Sequence, residues 1–288
     1  MARQREIFMV LDCETATVPQ VKGFNGLTPK QKTIVGTAKP IIYDLGYVIT
    51  DRTGYVYKKV SYIIADCYYD SQLFSTAYYA DKRPLYEEAI ANGSMKVKTW
   101  AEARKELFAD MKICNFIAAY NAGFDFKKAI PFTSYYFANR NRKWFNDKMV
   151  DFITEIAETG KTSAKNPTYT DPEFIIDSGH SVPIVDIMPL AVRRLCGKKY
   201  LKFAYDNGLI TDSGKWFKTS AEAIYRYISG NPDFDEAHTA LADAIIESEM
   251  LIKALKKGKP KFEIGCFCGR ELMTVQQYEE VNGIEVHP

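Results

Sequence analysis

Three short stretches hold residue types that could do chemistry. The first, Val10-Leu11-Asp12-Cys13-Glu14-Thr15, closes an apolar run, Ile7–Leu11, that reads as a short buried strand. Side chains alternate faces along a strand, so Asp12 and Glu14 project together while Cys13 points away. Two neighbouring carboxylates repel each other unless a cation lies between them, and oxygen-only ligation favours Mg²⁺ or Mn²⁺ over zinc. The same pair would also suit an edge strand facing water. In the second stretch, Ala119-Tyr120-Asn121-Ala122-Gly123-Phe124-Asp125, a strand ends in a turn and Asp125 enters the first turn of a helix. The helix dipole favours an acid there in any case. The third is His238-Thr239-Ala240-Leu241-Ala242-Asp243. Five steps along an ideal helix rotate by about 500°, which leaves the two side chains about 140° apart. They can share a site only if His238 stands at or before the helix start, and Asn231-Pro232-Asp233-Phe234-Asp235 supplies helix-entry chemistry just upstream.

Taken together and in this order, Asp-x-Glu, Asn-x-x-Phe-Asp and His-x-Ala-x-x-Asp resemble the motifs of the DEDDh exonucleases. These belong to the ribonuclease H-like superfamily, with the polymerase proofreading subunits, ribonuclease T and oligoribonuclease. Ile184-Val185-Asp186-Ile187-Met188-Pro189-Leu190 is similar to a strand-to-helix segment of that family. The resemblance implies an α/β fold: a mixed sheet of about five strands flanked by helices, here carrying insertions. It implies two divalent ions, Mg²⁺ or Mn²⁺, held by Asp12, Glu14, Asp125 and Asp243, with His238 as general base. Thr15 would meet the terminal nucleotide, and Asn121 and Phe124 would shape its pocket. The implied reaction is hydrolysis of the terminal phosphodiester of single-stranded DNA or RNA 3′ ends, releasing nucleoside 5′-monophosphates. Anionic neighbours should hold the His238 pKa up until the metals neutralise them. A proofreading subunit recruited by a polymerase or another replication or repair protein, an oligoribonuclease-like enzyme, and a catalytically silent nucleic-acid-binding module are the alternatives. A metal-dependent phosphatase acting on a small molecule is a further one.

The elements that must position these residues are legible in outline. Ile41–Thr50 and Tyr55–Ile64 are rich in β-formers around the turn Asp51-Arg52-Thr53-Gly54, which predicts a hairpin. Thr99-Trp100-Ala101-Glu102 and Thr219-Ser220-Ala221-Glu222 have the capping-box pattern and open helices, the first running to about Lys112. Phe116–Tyr120 and Val182–Asp186 read as strands, and residues 187–195 as a helix. A long helix is expected over about Ala237 to Lys257, closed by Gly258 and Pro260. Residues 18–40 read as a loop. The family core, residues 1–257, would carry insertions near 18–40, 66–98 and 133–182, followed by a tail over 258–288. The 133–182 insertion holds a helix over Lys148–Glu158 and then a Gly/Ser/Pro/Asp-rich stretch.

Composition sets bounds on this reading. The 288 residues are 47% hydrophobic and 26% charged, which excludes disordered and fibrous classes. No apolar run approaches the roughly 18 residues needed to cross a bilayer, and Asp12 cuts the N-terminal apolar run too short for a signal peptide. Six scattered cysteines form no disulfide framework, so a reducing cytoplasm is expected. The net charge of +2 excludes a purely electrostatic binder of nucleic acid. It hides basic clusters at residues 193–202 and 253–261 and at Arg140-Asn141-Arg142-Lys143-Trp144-Phe145, where rings stand beside cations. Tyr68, Tyr69, Phe74, Tyr78 and Tyr79 are expected mainly to pack a core. Cys266-Phe267-Cys268 with His287 lacks both the spacing and the fourth ligand of a zinc site.

Overall fold

The computed structural model describes residues 5–161, 171–265 and 272–284. Cys266, Cys268 and His287 lie outside the described residues. The N-terminal half runs β1 (Ile7–Ala16), α1 (Pro29–Ala38), β2 (Ile41–Asp51), β3 (Val56–Ile64), α2 (Ala65–Tyr68), α3 (Ser71–Phe74), α4 (Arg83–Ala91), β4 (Lys96–Lys98), α5 (Trp100–Lys112) and β5 (Phe116–Ala119). It continues with α6 (Ala122–Phe124), α7 (Ile130–Asn139), α8 (Lys143–Thr159), β6 (Glu173–Asp177), β7 (His180–Asp186), α9 (Ile187–Leu195), α10 (Lys198–Asp206), α11 (Ala221–Ser229), α12 (Ala240–Leu255) and α13 (Val275–Asn282).

The strands form one mixed sheet in the order β4-β3-β2-β1-β5-β7-β6. β2 runs antiparallel to both β1 and β3, whereas β5 is parallel to β1 and to β7. Helices cover both faces, which makes this the expected α/β layer fold. Its strand count is seven rather than about five. The two extra strands, β4 and β6, sit at the sheet's edges and are short. Pairing with β3 and β7 holds them, and neither has an apolar period to announce it.

Alternation along β1 sorts its side chains between two cores. Phe8 and Val10 join the layer under α9, α10 and α12, while Met9, Leu11 and Cys13 face the layer under α5 and α7. A third core, with Val35, Tyr43, Tyr68, Phe74, Tyr86 and Phe145, ties α1, α3, α4 and α8 to one end of the sheet. Residues 18–40 are therefore not only loop. Thr28, Pro29 and Gln31 open α1 with a complete capping box, which is the physical reason that a Gly/Thr/Lys-rich stretch turns helical. α8 starts earlier than expected, at Lys143, and buries Phe145. α13 has its own capping box and packs Val275 and Tyr278 into the first core.

Two packing details place the candidate residues. Residues 122–139 form a continuous helix containing Pro131, which has no N–H for the Lys127 carbonyl and crowds it. The helix widens into a π-turn over Asp125–Ala129, just before the proline. On the other face, the start of α12 rests on β2 at Gly46. A Cβ there would lie 2.0 Å from the Leu241 nitrogen, so only glycine allows the approach. Gly46 pairs with Asp12 across the β1–β2 ladder, so this contact sets the first turn of α12 beside the acidic end of β1.

Candidate active site

Asp12, Glu14 and Asp243 converge: each offers a carboxylate oxygen within 4.8 Å of the others. Strand alternation brings the first two together, and the seat of α12 on Gly46 brings the third. Asp125 stands next to this trio without joining it. Its Oδ1 accepts a hydrogen bond from the Cys13 thiol at 2.9 Å, so the residue that points away from Asp12 and Glu14 meets Asp125 instead. His238 lies two residues before α12, with a positive φ of 51°. It therefore precedes the helix that carries Asp243. Its Nδ1 is 3.5 Å from Glu236 Oε2.

Three further carboxylates surround the trio. Asp44 lies opposite Glu14 in the ladder, is fully buried, and accepts the Ala240 N–H at 3.0 Å, anchoring the first turn of α12. Glu247, one helical turn beyond Asp243, is buried and accepts the Tyr120 N–H at 3.1 Å. Asp186 caps α9 through the Met188 N–H and also accepts the Asn121 N–H at 3.2 Å. Of these, Glu247 left a signal in the sequence, because i,i+4 spacing puts it on the face of Asp243. Asp44 left none.

Electrostatically this is a site short of positive charge. Burial raises the Asp12 carboxyl well above its usual range, and Glu247, Glu14, Asp125 and Asp243 add to the effect. Glu14 rises to about 9 through burial and then through Asp44 and Asp243, with Lys82 opposing. Asp243 rises to about 8 through burial and Glu236, again eased by Lys82. Asp125 reaches about 7, mainly through burial. One oxygen each of Asp44 and Asp243 is buried without any hydrogen-bond partner. Clustered oxygen donors and an orphaned carboxylate oxygen on Asp243 are what a hard divalent cation would satisfy. His238 departs from expectation. Burial, followed by the charge of Lys82, lowers its pKa below 6.5, outweighing Glu222 and Asp235.

A cleft of about 600 Å³ opens beside Glu14 and Thr15. Phe24, Tyr78, Tyr79 and Phe124 supply its rings, and Lys32 stands among its polar lining. Thr15 and Phe124 thus border this space. Asn121 is not among the residues lining this cleft; it holds a left-handed conformation at the turn into α6. Of the aromatic residues in 66–98, Tyr68 and Phe74 are core, while Tyr69 and Tyr78 are exposed. Tyr79 stacks on His238 with ring centroids 4.7 Å apart. Several basic residues flagged by charge are tied up in the scaffold: Arg193 pairs with Glu263, Lys202 with Asp206, and Lys257 donates to the Arg194 carbonyl. Among the described residues no helix is long and apolar enough to cross a membrane.

No protein-family profile and no curated protein matches the chain. Solved structures do. E. coli exonuclease I in complex with a dA16 oligonucleotide is 17% identical over 88% of this chain and 41% of that one, with a TM-score of 0.42. An ExoI/SSB-Ct complex is 14% identical over 88% of this chain and 42% of that one, at 0.43. Cell-death related nuclease 4 is 8% identical over 88% of this chain and 65% of that one, at 0.35. The chain spans about two fifths of the length of the exonuclease I chains it matches.

Proposed function

We propose that the chain is a divalent-metal-dependent 3′–5′ exonuclease acting on single-stranded DNA or RNA. The observation that carries this reading is the convergence of Asp12, Glu14 and Asp243 within 4.8 Å, with His238 directly upstream of α12. Asp12, Glu14 and Asp243, joined by Asp125, would hold Mg²⁺ or Mn²⁺. Bound there, the ions would supply the positive charge that activates water and stabilises the departing oxygen of an in-line phosphoryl displacement.

The protein's own groups account for the rest. Burial and the charge of Lys82 disfavour the charged form of the His238 imidazole and lower its pKa. Glu236 beside Nδ1 favours the tautomer that leaves Nε2 free to take a proton from the attacking water. The water oxygen would bond to the terminal phosphorus as the bond from that phosphorus to the 3′ oxygen of the preceding nucleotide breaks, and the departing 3′ oxygen would take a proton from solvent, leaving a nucleoside 5′-monophosphate. The cleft beside Thr15 receives the terminal nucleotide, with Phe24 and Phe124 as apolar walls for its base.

The test uses 5′-labelled single-stranded DNA and RNA oligonucleotides with Mg²⁺ or Mn²⁺, next to an Asp243→Asn variant. A ladder that shortens from the 3′ end, absent with EDTA and in the variant, is the expected result. Folded, metal-loaded protein that leaves both polymers intact would overturn the proposal.

A further inference from the structure

The segment after α3 is an insertion relative to the motif-bearing core, yet it reaches the histidine. The Tyr79 ring lies almost parallel to the His238 imidazole, 13° between planes at a centroid separation of 4.7 Å. Three residues on, the Lys82 ammonium donates to the Ala237 carbonyl at 2.6 Å, bridging 155 residues of sequence. The same ammonium sits 4.7 Å from the centre of the Tyr79 ring. These contacts meet at a strained position. His238 has a φ of 51°, one of two positive values among the described non-glycine residues. A non-glycine residue held in the left-handed region outside regular structure is strained and persists only where its surroundings over-determine it. The imidazole is about one-third exposed, so the core alone does not fix its rotamer.

We propose that Tyr79 and Lys82 are positioning residues for His238, Tyr79 holding the imidazole by stacking and Lys82 holding the backbone just before it. The inference rests on the reading of His238 as general base. It assigns the 66–98 insertion a role that the three motifs do not contain: it clamps the segment that carries the base. The clamp acts on the proton-transfer step rather than on substrate binding. Loosening it misplaces Nε2 without removing any of the four carboxylates.

The experiment compares Tyr79→Ala, Tyr79→Phe and Lys82→Met with wild type and with His238→Ala. Tyr79→Ala is expected to lower kcat about tenfold to hundredfold, the cost of a misplaced catalytic group, with Mn²⁺ affinity little changed. Tyr79→Phe keeps the ring and should restore turnover. Lys82→Met should lower kcat in the same sense. A second readout is independent of turnover. The chain has three histidines, so histidine-labelled protein gives few imidazole signals, and His238→Ala assigns the one of interest. Stacking shifts that signal by ring current; the shift should vanish in Tyr79→Ala and survive in Tyr79→Phe. Wild-type kcat in Tyr79→Ala, a loss confined to KM, or an unmoved His238 signal would overturn the clamp. If His238→Ala itself stays active, the base reading falls, and the kinetic role of the clamp falls with it. Loss of activity in His238→Ala but not in Tyr79→Ala overturns the clamp alone.

Discussion

Gly46→Ala tests whether the seat of α12 builds the site. The added Cβ would lie 2.0 Å from the Leu241 nitrogen, 2.2 Å from the Ala240 carbonyl carbon and 2.4 Å from the Leu241 Cα. All three are backbone atoms, so no side chain can swing aside. Real Cβ contacts essentially never fall under 3.0 Å, so the first turn of α12 must retreat by about 1 Å or more, a shift comparable to the worst overpacking cases. That retreat stretches the 3.0 Å bond from Ala240 to Asp44 beyond hydrogen-bonding range. A buried carboxylate that loses its donor costs about 1–3 kcal/mol, and overpacking costs a similar amount. Together they predict a fall in melting temperature of roughly 5–15 °C. Asp243 and His238 move with the helix start, and a 1 Å misplacement is worth about a hundredfold in turnover. Thermal unfolding, Mn²⁺ titration calorimetry and single-strand turnover well below the variant's melting point measure all three effects. Gly36→Ala in α1, with nothing within 4 Å of its added Cβ, is the stability control. If Gly46→Ala matched wild type in turnover and melting temperature, the close seat of α12 would not be what assembles the site.

Other outcomes follow from the unbalanced acidic cluster. Carboxyls whose pKa values are raised on folding, to about 7 for Asp44 and Asp125, about 8 for Asp243 and about 9 for Glu14, bind their protons more tightly in the native state. They support the fold at low pH and withdraw that support as pH climbs through these values, so metal-free protein should melt progressively lower from pH 5 to pH 9 in chemical or thermal scans. Mn²⁺ or Mg²⁺ at about a hundred times its Kd should add about 2.7 kcal/mol and flatten that pH dependence, which differential scanning calorimetry with and without EDTA reads directly. Asp12→Asn should abolish turnover while raising the metal-free melting temperature by a few degrees near neutral pH, because it removes a carboxyl that must take up a proton to be held in the metal-free fold.

Much of the site was legible in residue order because β-alternation is local. Asp12 and Glu14 had to share a face, and the residues before α12 were visibly a helix entry. The hairpin at Asp51–Gly54 and the capping box at Thr99 were equally plain. What stayed hidden depends on distant neighbours. Asp44 reads as an ordinary strand acid until Ala240 meets it, and Gly46 as a weak strand residue until α12 lies on it. Tyr79 looked like core because ring spacing does not say what lies opposite. The edge strands β4 and β6, three and five residues long, are too short to show a period. α1 falls in a stretch read as loop: its start signal, Thr28-Pro29-x-Gln31, is masked by the surrounding Gly and Lys.

The hydrogen bond between Ala240 and Asp44 spans 196 residues, and that between Lys82 and Ala237 spans 155. The acidic centre therefore has only part of its precursor in local sequence, the Asp12 and Glu14 pair on β1. A growing or refolding chain can form the β2–β3 hairpin and its neighbours early, yet the third carboxylate arrives only when α12 closes over Gly46. Such long-range closure belongs to the slow end of folding. The consequence is a dependence on the distant part of the chain: until α12 is made and seated, Asp243 stands apart from Asp12 and Glu14.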